Sequence, residues 1–283
     1  MTCVKKEPDR ILPEKAIIGM IHVPPLPDSP LFFDHFSPGR ESDVRALIEK
    51  PLKELEIYQK AGVDAVMIEN MHDLPYSKPP LPNNTVNAMI LIGKALRKKT
   101  QQLPIGIQML EAANCEAMEI ACRSDLDFIR VEGFVYAHVG GAGLIEASAR
   151  DIINLRKKNA KQKIKIFADV KKKHCAHALT ADLSVGDITR QSELFCADGI
   201  IVTGSFTGEP VDLKDFKEAK RSAPNLPLLI GSGITPENLI DYHDCADGFI
   251  VGSYFKKGEN WKNDIDPERV KKLVKKRNLL KKT

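Results

Sequence analysis

Ionisable side chains of both signs recur in this chain where short apolar, β-branched runs end. Arg130 and Glu132 close one run, Asp169 closes the next, and Lys171 and Lys173 follow it directly. Carboxylates and amines held together can transfer protons or stabilise developing negative charge, and a lysine can form a Schiff base. The pattern therefore indicates acid–base chemistry on a small organic substrate.

Further titratable residues follow other runs. Glu69 ends an earlier run, His22 lies just past the first one, and His174 comes directly after Lys173. His22, Glu69, Asp169 and His174 together could hold a divalent metal ion, although no H-x-H spacing fixes such a site. We predict no other cofactor.

Glycine-rich turns follow the last three runs. Backbone amides in such turns can approach an anion closely, and the last two loops of a parallel eight-stranded barrel commonly bind phosphate. Glycine also serves ordinary tight turns, so that interpretation stays open. The residues expected to bind phosphate are Gly204, Ser205, Gly231, Ser232, Gly233, Gly252 and Ser253.

The runs that must position these residues number eight and alternate with amphipathic stretches, one of them at 145–158. This alternation predicts an α/β fold, a single (β/α)8 TIM barrel with its active site at the carboxyl ends of the strands. We expect one domain over 1–283, with an N-terminal extension at 1–14 and a basic tail at 277–283. The predicted strands are 16–21, 65–70, 104–110, 128–133, 165–170, 199–204, 228–233 and 248–253.

Strand alternation predicts which side chains share the barrel interior. If Ile129 and Val131 pack outward against helices, Arg130 and Glu132 point inward. A purely structural network of buried salt bridges is the alternative to a catalytic site. The same alternation predicts that the side chains of four further residues point inward, namely Glu69, Gln108, Asp169 and Lys171.

Two other features have structural interpretations. An aspartate stands just before three of the strands, as Asp64, Asp198 and Asp247, where helix-to-strand turns favour it. The loop after the first strand carries five prolines and the phenylalanines Phe32, Phe33 and Phe36. It could cover the site as a lid, cap the barrel or form a subunit contact.

Composition limits the classes of partner. A formal net charge of +4 and a pI near 8.6 are too mild to predict nucleic-acid binding. No apolar run reaches the length of a membrane span. Six scattered cysteines and a charged start predict reduced thiols and a cytoplasmic protein, with mitochondria as an alternative. Homo-oligomerisation is a further expectation.

Several motifs in a fixed order resemble the BtpA family, named for a member implicated in photosystem I biogenesis. The resemblance covers nearly the whole chain and implies a barrel of the phosphate-binding type. The family name records a phenotype and does not specify a reaction. The motifs that carry the resemblance lie at 19–22, 62–64, 68–70, 128–131, 168–174, 231–238 and 247–252.

The resemblance implies roles for individual residues. It places phosphate binding on the glycine and serine residues at 231–233 and 252–253. The chain differs from the family pattern at one loop, where Gly141 and Ala142 stand in place of an acidic and a polar residue. An altered or inactive member would follow if relatives use that acidic group. The residues implied to line the reacting end are Glu69, Arg130, Asp169, Lys173 and His174.

Three functions compete on these observations. The first is an isomerase or lyase acting on a small phosphorylated metabolite, such as a sugar phosphate or nucleotide. Asp169 or Glu69 would act as the base, and Lys171, Lys173 or Arg130 would stabilise negative charge. The second is a metal-dependent hydrolase of a nucleoside or nucleotide. The third is a non-catalytic assembly or regulatory factor that keeps the phosphate pocket.

Overall fold

A computed structural model of the protein describes residues 11–32, 42–159, 161 and 163–281. Most of the expected lid, including Phe33 and Phe36, lies outside these residues. So do most of the expected N-terminal extension and the last two residues of the basic tail.

Eight parallel strands close into a barrel, as the sequence predicts. The eight strands are β1 (Ala16–His22), β2 (Ala65–Glu69), β3 (Ile105–Gln108), β4 (Phe128–Val131), β7 (Lys165–Val170), β8 (Gly199–Val202), β9 (Leu228–Ile230) and β10 (Gly248–Val251). Neighbours around the barrel run in the order β1, β2, β3, β4, β7, β8, β9, β10 and back to β1.

Each barrel strand is followed by an α-helix that packs outside the barrel. The apolar faces of these helices cover the outward-facing strand residues and form the larger core. The helices are α1 (Ser42–Ala61), α2 (Asn83–Lys99), α3 (Asn114–Ser124), α4 (Ala149–Lys158), α5 (Val185–Leu194), α6 (Leu213–Ser222), α7 (Leu239–His243) and α8 (Pro267–Leu280).

A short antiparallel hairpin interrupts this alternation after β4. Its strands are β5 (His138–Gly140) and β6 (Gly143–Ile145), and Gly141 and Ala142 form its turn. The prediction that a helix starts at Ile145 is therefore wrong, because Ile145 pairs with His138 and α4 begins at Ala149.

A second, smaller core fills the barrel interior. It is made of inward-facing residues, among them Met20, Met67, Phe128 and Phe167. The Phe128 and Phe167 rings meet edge to face with centroids 5.6 Å apart. Gly106 makes room for Phe128, because a Cβ there would lie 2.0 Å from its ring. These aromatic rings form the floor beneath the polar mouth of the barrel.

At the amino ends of the strands, four aspartates repeat one structural device. The carboxylates of Asp64, Asp127, Asp198 and Asp247 each accept a hydrogen bond of 2.8–3.0 Å from the first or second amide of a neighbouring strand. Each also pairs with a cation from an outer helix. The structural interpretation of three of them is confirmed, and Asp127 is a fourth.

The two chain ends pack more tightly than we expected. Leu12, assigned to an extension, packs into the inner core. Arg277, assigned to a basic tail, is buried within α8, donates to the Lys15 carbonyl and pairs with Asp64. Both expectations are corrected for these residues.

Candidate functional site

A cleft at the carboxyl ends of the strands gathers many of the predicted site residues. It encloses about 660 Å³ of space, open solvent included. Its wall combines ionisable groups, glycine turns and a few apolar side chains. The predicted residues that line it are His22, Glu69, Arg130, Lys173, Gly231, Ser232, Gly233, Gly252 and Ser253.

Arg130 on β4 and Asp169 on β7 form a bidentate ion pair under this cleft. Arg130 Nε lies 2.7 Å from Asp169 Oδ2, and Arg130 Nη2 lies 2.9 Å from Asp169 Oδ1. Both side chains are buried. With both carboxylate oxygens engaged, Asp169 positions Arg130, whose guanidinium faces the cleft.

Glu69 at the end of β2 lies beside His22 at the end of β1, with His22 Nε2 3.5 Å from Glu69 Oε2. Burial raises the pKa of Glu69, although Arg130 and Lys173 oppose that shift. Burial, with Lys256 nearby, holds the pKa of His22 well below its ordinary value. A carboxyl group with a raised pKa beside a neutral imidazole is a suitable pair for proton transfer.

Lys172, and not Lys171, completes a buried charge network beside the cleft. Lys172 Nζ lies 3.0 Å from Glu132 Oε2 and 3.3 Å from Glu111 Oε1. Burial opposes the charge on Lys172, but the two carboxylates raise its pKa overall. Gln108 Nε2 donates to Glu132 Oε1 at 2.6 Å, so Glu132 is held by both neighbours.

The expectation that Lys171 points into the barrel is wrong. Lys171 has a φ of +45°, which ends the strand alternation after Val170. Lys171 lines a neighbouring pocket with Asp212 and Asp215 and does not line the cleft.

The glycine turns after β9 and β10 form one wall of the cleft, which we call the glycine cradle (residues 231–233 and 252–253). Among hydrogen bonds between described residues, the amides of Gly233, Gly252 and Ser253 donate none. Gly233 has a φ of +71°, and a Cβ there would lie 2.2 Å from the Glu209 carbonyl oxygen. Only glycine fits that turn.

Among the predicted phosphate residues, one has a side chain already engaged by neighbouring loops and two lie outside the cleft. Ser232 Oγ accepts a hydrogen bond from the Gly204 amide at 2.9 Å and donates to the Glu209 carbonyl at 3.0 Å, which ties two loops together. Gly204 and Ser205 line the pocket beside His174 instead of the cleft. The predicted extension of the cradle to Gly204 and Ser205 is therefore corrected.

The four residues named as candidate metal ligands are not gathered into one site. His174 is exposed, and its Nε2 lies 2.8 Å from Thr207 Oγ1, while Asp169 is held by Arg130. Among the described residues, no group of three or more His, Cys, Asp or Glu side chains could hold a metal ion. The predicted metal set is therefore wrong as a set.

Three loop residues contribute to the mouth, and sequence reasoning missed two of them, Glu111 and Trp261. Glu111 follows β3, and its carboxylate accepts from the hairpin amides of Gly141 (3.2 Å) and Ala142 (2.6 Å). His72 and Trp261 lie with ring centroids 5.1 Å apart, and Trp261 is the single tryptophan of the chain. The Trp261 carbonyl lies 3.2 Å from His22 Nδ1. All three come from loops, where strand alternation gives no signal.

The BtpA family model matches residues 13–279 of this chain. The chain belongs to the BtpA family. A Caenorhabditis elegans protein whose name calls it uncharacterized and mitochondrial is 42% identical over 269 residues, 94% of each chain. The photosystem I biogenesis protein BtpA of Synechocystis sp. is 32% identical over 258 residues, 91% of this chain and 86% of that protein.

Solved structures of similar fold are enzymes of low sequence identity. The phosphoribosyl anthranilate isomerase of Thermus thermophilus is 12% identical with a TM-score of 0.56, and the match covers 94% of this chain and 99% of that one. KGPDC from Streptococcus mutans is 12% identical with a TM-score of 0.58, over 95% of this chain and 98% of that one. These matches show that this BtpA protein has the TIM-barrel fold.

In the part of the BtpA chain that the structure describes, no helix is long and apolar enough to cross a membrane. The cytoplasmic location stays a prediction, since the C. elegans relative is named mitochondrial. Homo-oligomerisation and the absence of nucleic-acid binding also stay predictions.

Proposed function

We propose that this protein is an enzyme that binds a small phosphorylated metabolite and converts it by proton transfer, as an isomerase or a lyase. One observation carries the proposal: the glycine cradle and the ionisable residues Glu69, Arg130 and Lys173 line the same cleft. A phosphate held at the cradle would direct the rest of a small molecule toward these groups.

The cradle suits a phosphate group because it offers backbone donors in a confined space. The amides of Gly233, Gly252 and Ser253 are not used by other described residues, and Arg130 and Lys173 add positive charge. The similar folds support this reading, because one of those enzymes is named for a phosphoribosyl substrate.

Acid–base catalysis would fall to Glu69. Its pKa is raised by burial, which favours the protonated carboxyl group more than in an ordinary glutamate and suits the side chain to exchange protons with a substrate. Arg130, fixed by Asp169, would stabilise an oxyanion or enolate that forms beside it. Proton abstraction next to a carbonyl or anomeric carbon fits this set of groups.

The test is a matched pair of substitutions at Ser253, which lines the cleft. We expect Ser253→Asp to weaken the binding of inorganic phosphate and phosphorylated sugars at least about tenfold, because a carboxylate repels the anion. Ser253→Asn has nearly the same shape without the charge, so it should lose far less. Isothermal titration calorimetry measures both, and equal affinity in the two variants would contradict the proposal.

A second candidate is an assembly or regulatory factor that binds the same ligand without converting it. The name of the Synechocystis relative favours this candidate. Product analysis of each ligand that binds separates the two: turnover that is lost in Glu69→Gln supports the enzyme. Tight binding of phosphorylated ligands with no turnover in any case supports the factor.

A further inference from the structure

We propose that Lys173 is a nucleophile that forms a Schiff base with the carbonyl group of the phosphorylated substrate. This inference rests on the proposed function and narrows it to carbonyl substrates handled through an imine. It also distinguishes between Lys171 and Lys173, which sequence reasoning left as alternatives, and considers Lys172 between them.

The three neighbouring lysines have different surroundings. Lys172 is locked between Glu132 and Glu111 by two ion pairs. Lys171 lies in a neighbouring pocket near Asp215, which Lys172 and Lys173 also line. Lys173 alone of the three lines the cleft that holds the glycine cradle. Position therefore singles out Lys173 as the amine that a bound substrate would meet.

Lys173 is also prepared to act as a free amine. Among the described residues, no carboxylate lies within 4 Å of its Nζ to form an ion pair, although Glu69 and Asp169 are near enough to interact electrostatically. Burial and the neighbouring Arg130 guanidinium lower the pKa of Lys173 to about 8. A lysine becomes nucleophilic when desolvation and a nearby cation disfavour its charged form.

The backbone around Lys173 is fixed. Its amide donates to Thr203 Oγ1 at 3.0 Å, and the next residue's amide donates to the Ser205 carbonyl at 3.1 Å. These bonds hold the loop after β7 against the loop after β8. The Lys173 side chain therefore starts from an anchored position in the cleft wall.

The step balances with groups already in the cleft. The neutral Lys173 amine attacks the carbonyl carbon and forms a C–N bond, and its lost proton and one from the Glu69 carboxyl group leave with the carbonyl oxygen as water. The product is a protonated imine, which withdraws electrons from the adjacent carbon. Hydrolysis with one water returns the carbonyl compound, the amine and the carboxyl proton.

Pyridoxal 5′-phosphate is a suitable probe because it carries an aldehyde and a phosphate on one small ring. We expect incubation followed by borohydride reduction and peptide mass mapping to label Lys173 at least about tenfold more than Lys171 or Lys172. Labelling should increase as the pH rises from 7 to 9, and excess inorganic phosphate should suppress it. Equal labelling of the three lysines, or none at Lys173, would overturn the proposal.

Two controls separate this inference from the proposed function. Lys171→Arg, outside the cleft, should retain both phosphate binding and the label at residue 173, whereas Lys173→Arg keeps a positive charge but cannot form an imine and should lose the label. If phosphate binds normally and Lys173 is never labelled, only the Schiff base is wrong. If Lys173 is labelled equally by pyridoxal with and without its phosphate, and Ser253→Asp leaves phosphate affinity unchanged, the phosphate site is wrong instead. Urea unfolding of each variant checks that it folds.

Discussion

Single histidines at the mouth are held neutral by burial. His138 on the hairpin is 6% exposed, and its Nε2 has no hydrogen-bond partner among the described residues. Burial, with help from His177, lowers the pKa of His138 to about 4. Burial lowers the pKa of His22 as well. These residues link the stability of the barrel to pH.

We expect His138 to make the protein less stable in mild acid. The unfolded chain takes up this proton near pH 6.5 but the native state only near pH 4, so stability falls as the pH drops through that window. Protonation of His138 in the unfolded chain should lower the free energy of unfolding by about 2 kcal/mol between pH 7 and pH 5. Urea unfolding at both pH values should show a smaller loss for His138→Gln, and an unchanged loss would contradict the account.

At the scale of elements, the hairpin β5–β6 is attached to the barrel through Glu111. The carboxylate binds two hairpin amides and also Lys172, which in turn binds Glu132 on the barrel side. One carboxylate thus connects the hairpin turn to the buried charge network. The turn residues Gly141 and Ala142 contribute through their backbone amides.

Removing this carboxylate should loosen the hairpin. We expect Glu111→Ala to speed amide hydrogen exchange at residues 138–145 at least about tenfold, because two hydrogen bonds and one ion pair are lost. Glu146→Ala, at an exposed position just after β6, is the matched control and should change little. Unchanged exchange in Glu111→Ala would show that the apolar contacts of Ile145 hold the hairpin instead.

The aspartates at the amino ends of the strands predict a second effect on stability. The Asp127 carboxylate accepts from the Ile105 amide at 2.8 Å and pairs with Arg97. We expect Asp127→Asn to lower the free energy of unfolding by about 1–3 kcal/mol, since it weakens a charge-assisted hydrogen bond and an ion pair. Asp241→Asn, an exposed position on α7, should stay within about 0.5 kcal/mol. Equal losses of unfolding free energy in the two variants would contradict the stabilising role of these aspartates.

At the scale of the whole molecule, sequence patterns predicted the barrel well and its loops poorly. All eight barrel strands were found, because parallel strands buried on both faces are short apolar runs. The hairpin was missed, since three-residue strands such as His138–Gly140 give no periodic signal. Ile145 was therefore taken for the start of a helix.

The same division holds within the site. Glu69, Arg130 and Asp169 were placed correctly because they lie in regular strands, where alternation decides direction. The direction predicted for the Lys171 side chain was wrong because its positive φ ends the strand alternation directly after Val170. Glu111 and Trp261 reach the mouth from loops, and only tertiary packing brings them there.

A structure determined with a bound phosphorylated sugar tests the central claim most directly. We predict that the phosphate oxygens accept hydrogen bonds from the amides of Gly233 and Ser253, with the rest of the ligand between Glu69 and Lys173. Trp261, the single tryptophan, lies beside the cleft residue His22 with ring centroids 6.2 Å apart, and its fluorescence should report the same binding in solution. A phosphate bound in the pocket of Lys171 and His174, with the glycine cradle left free, would contradict the account.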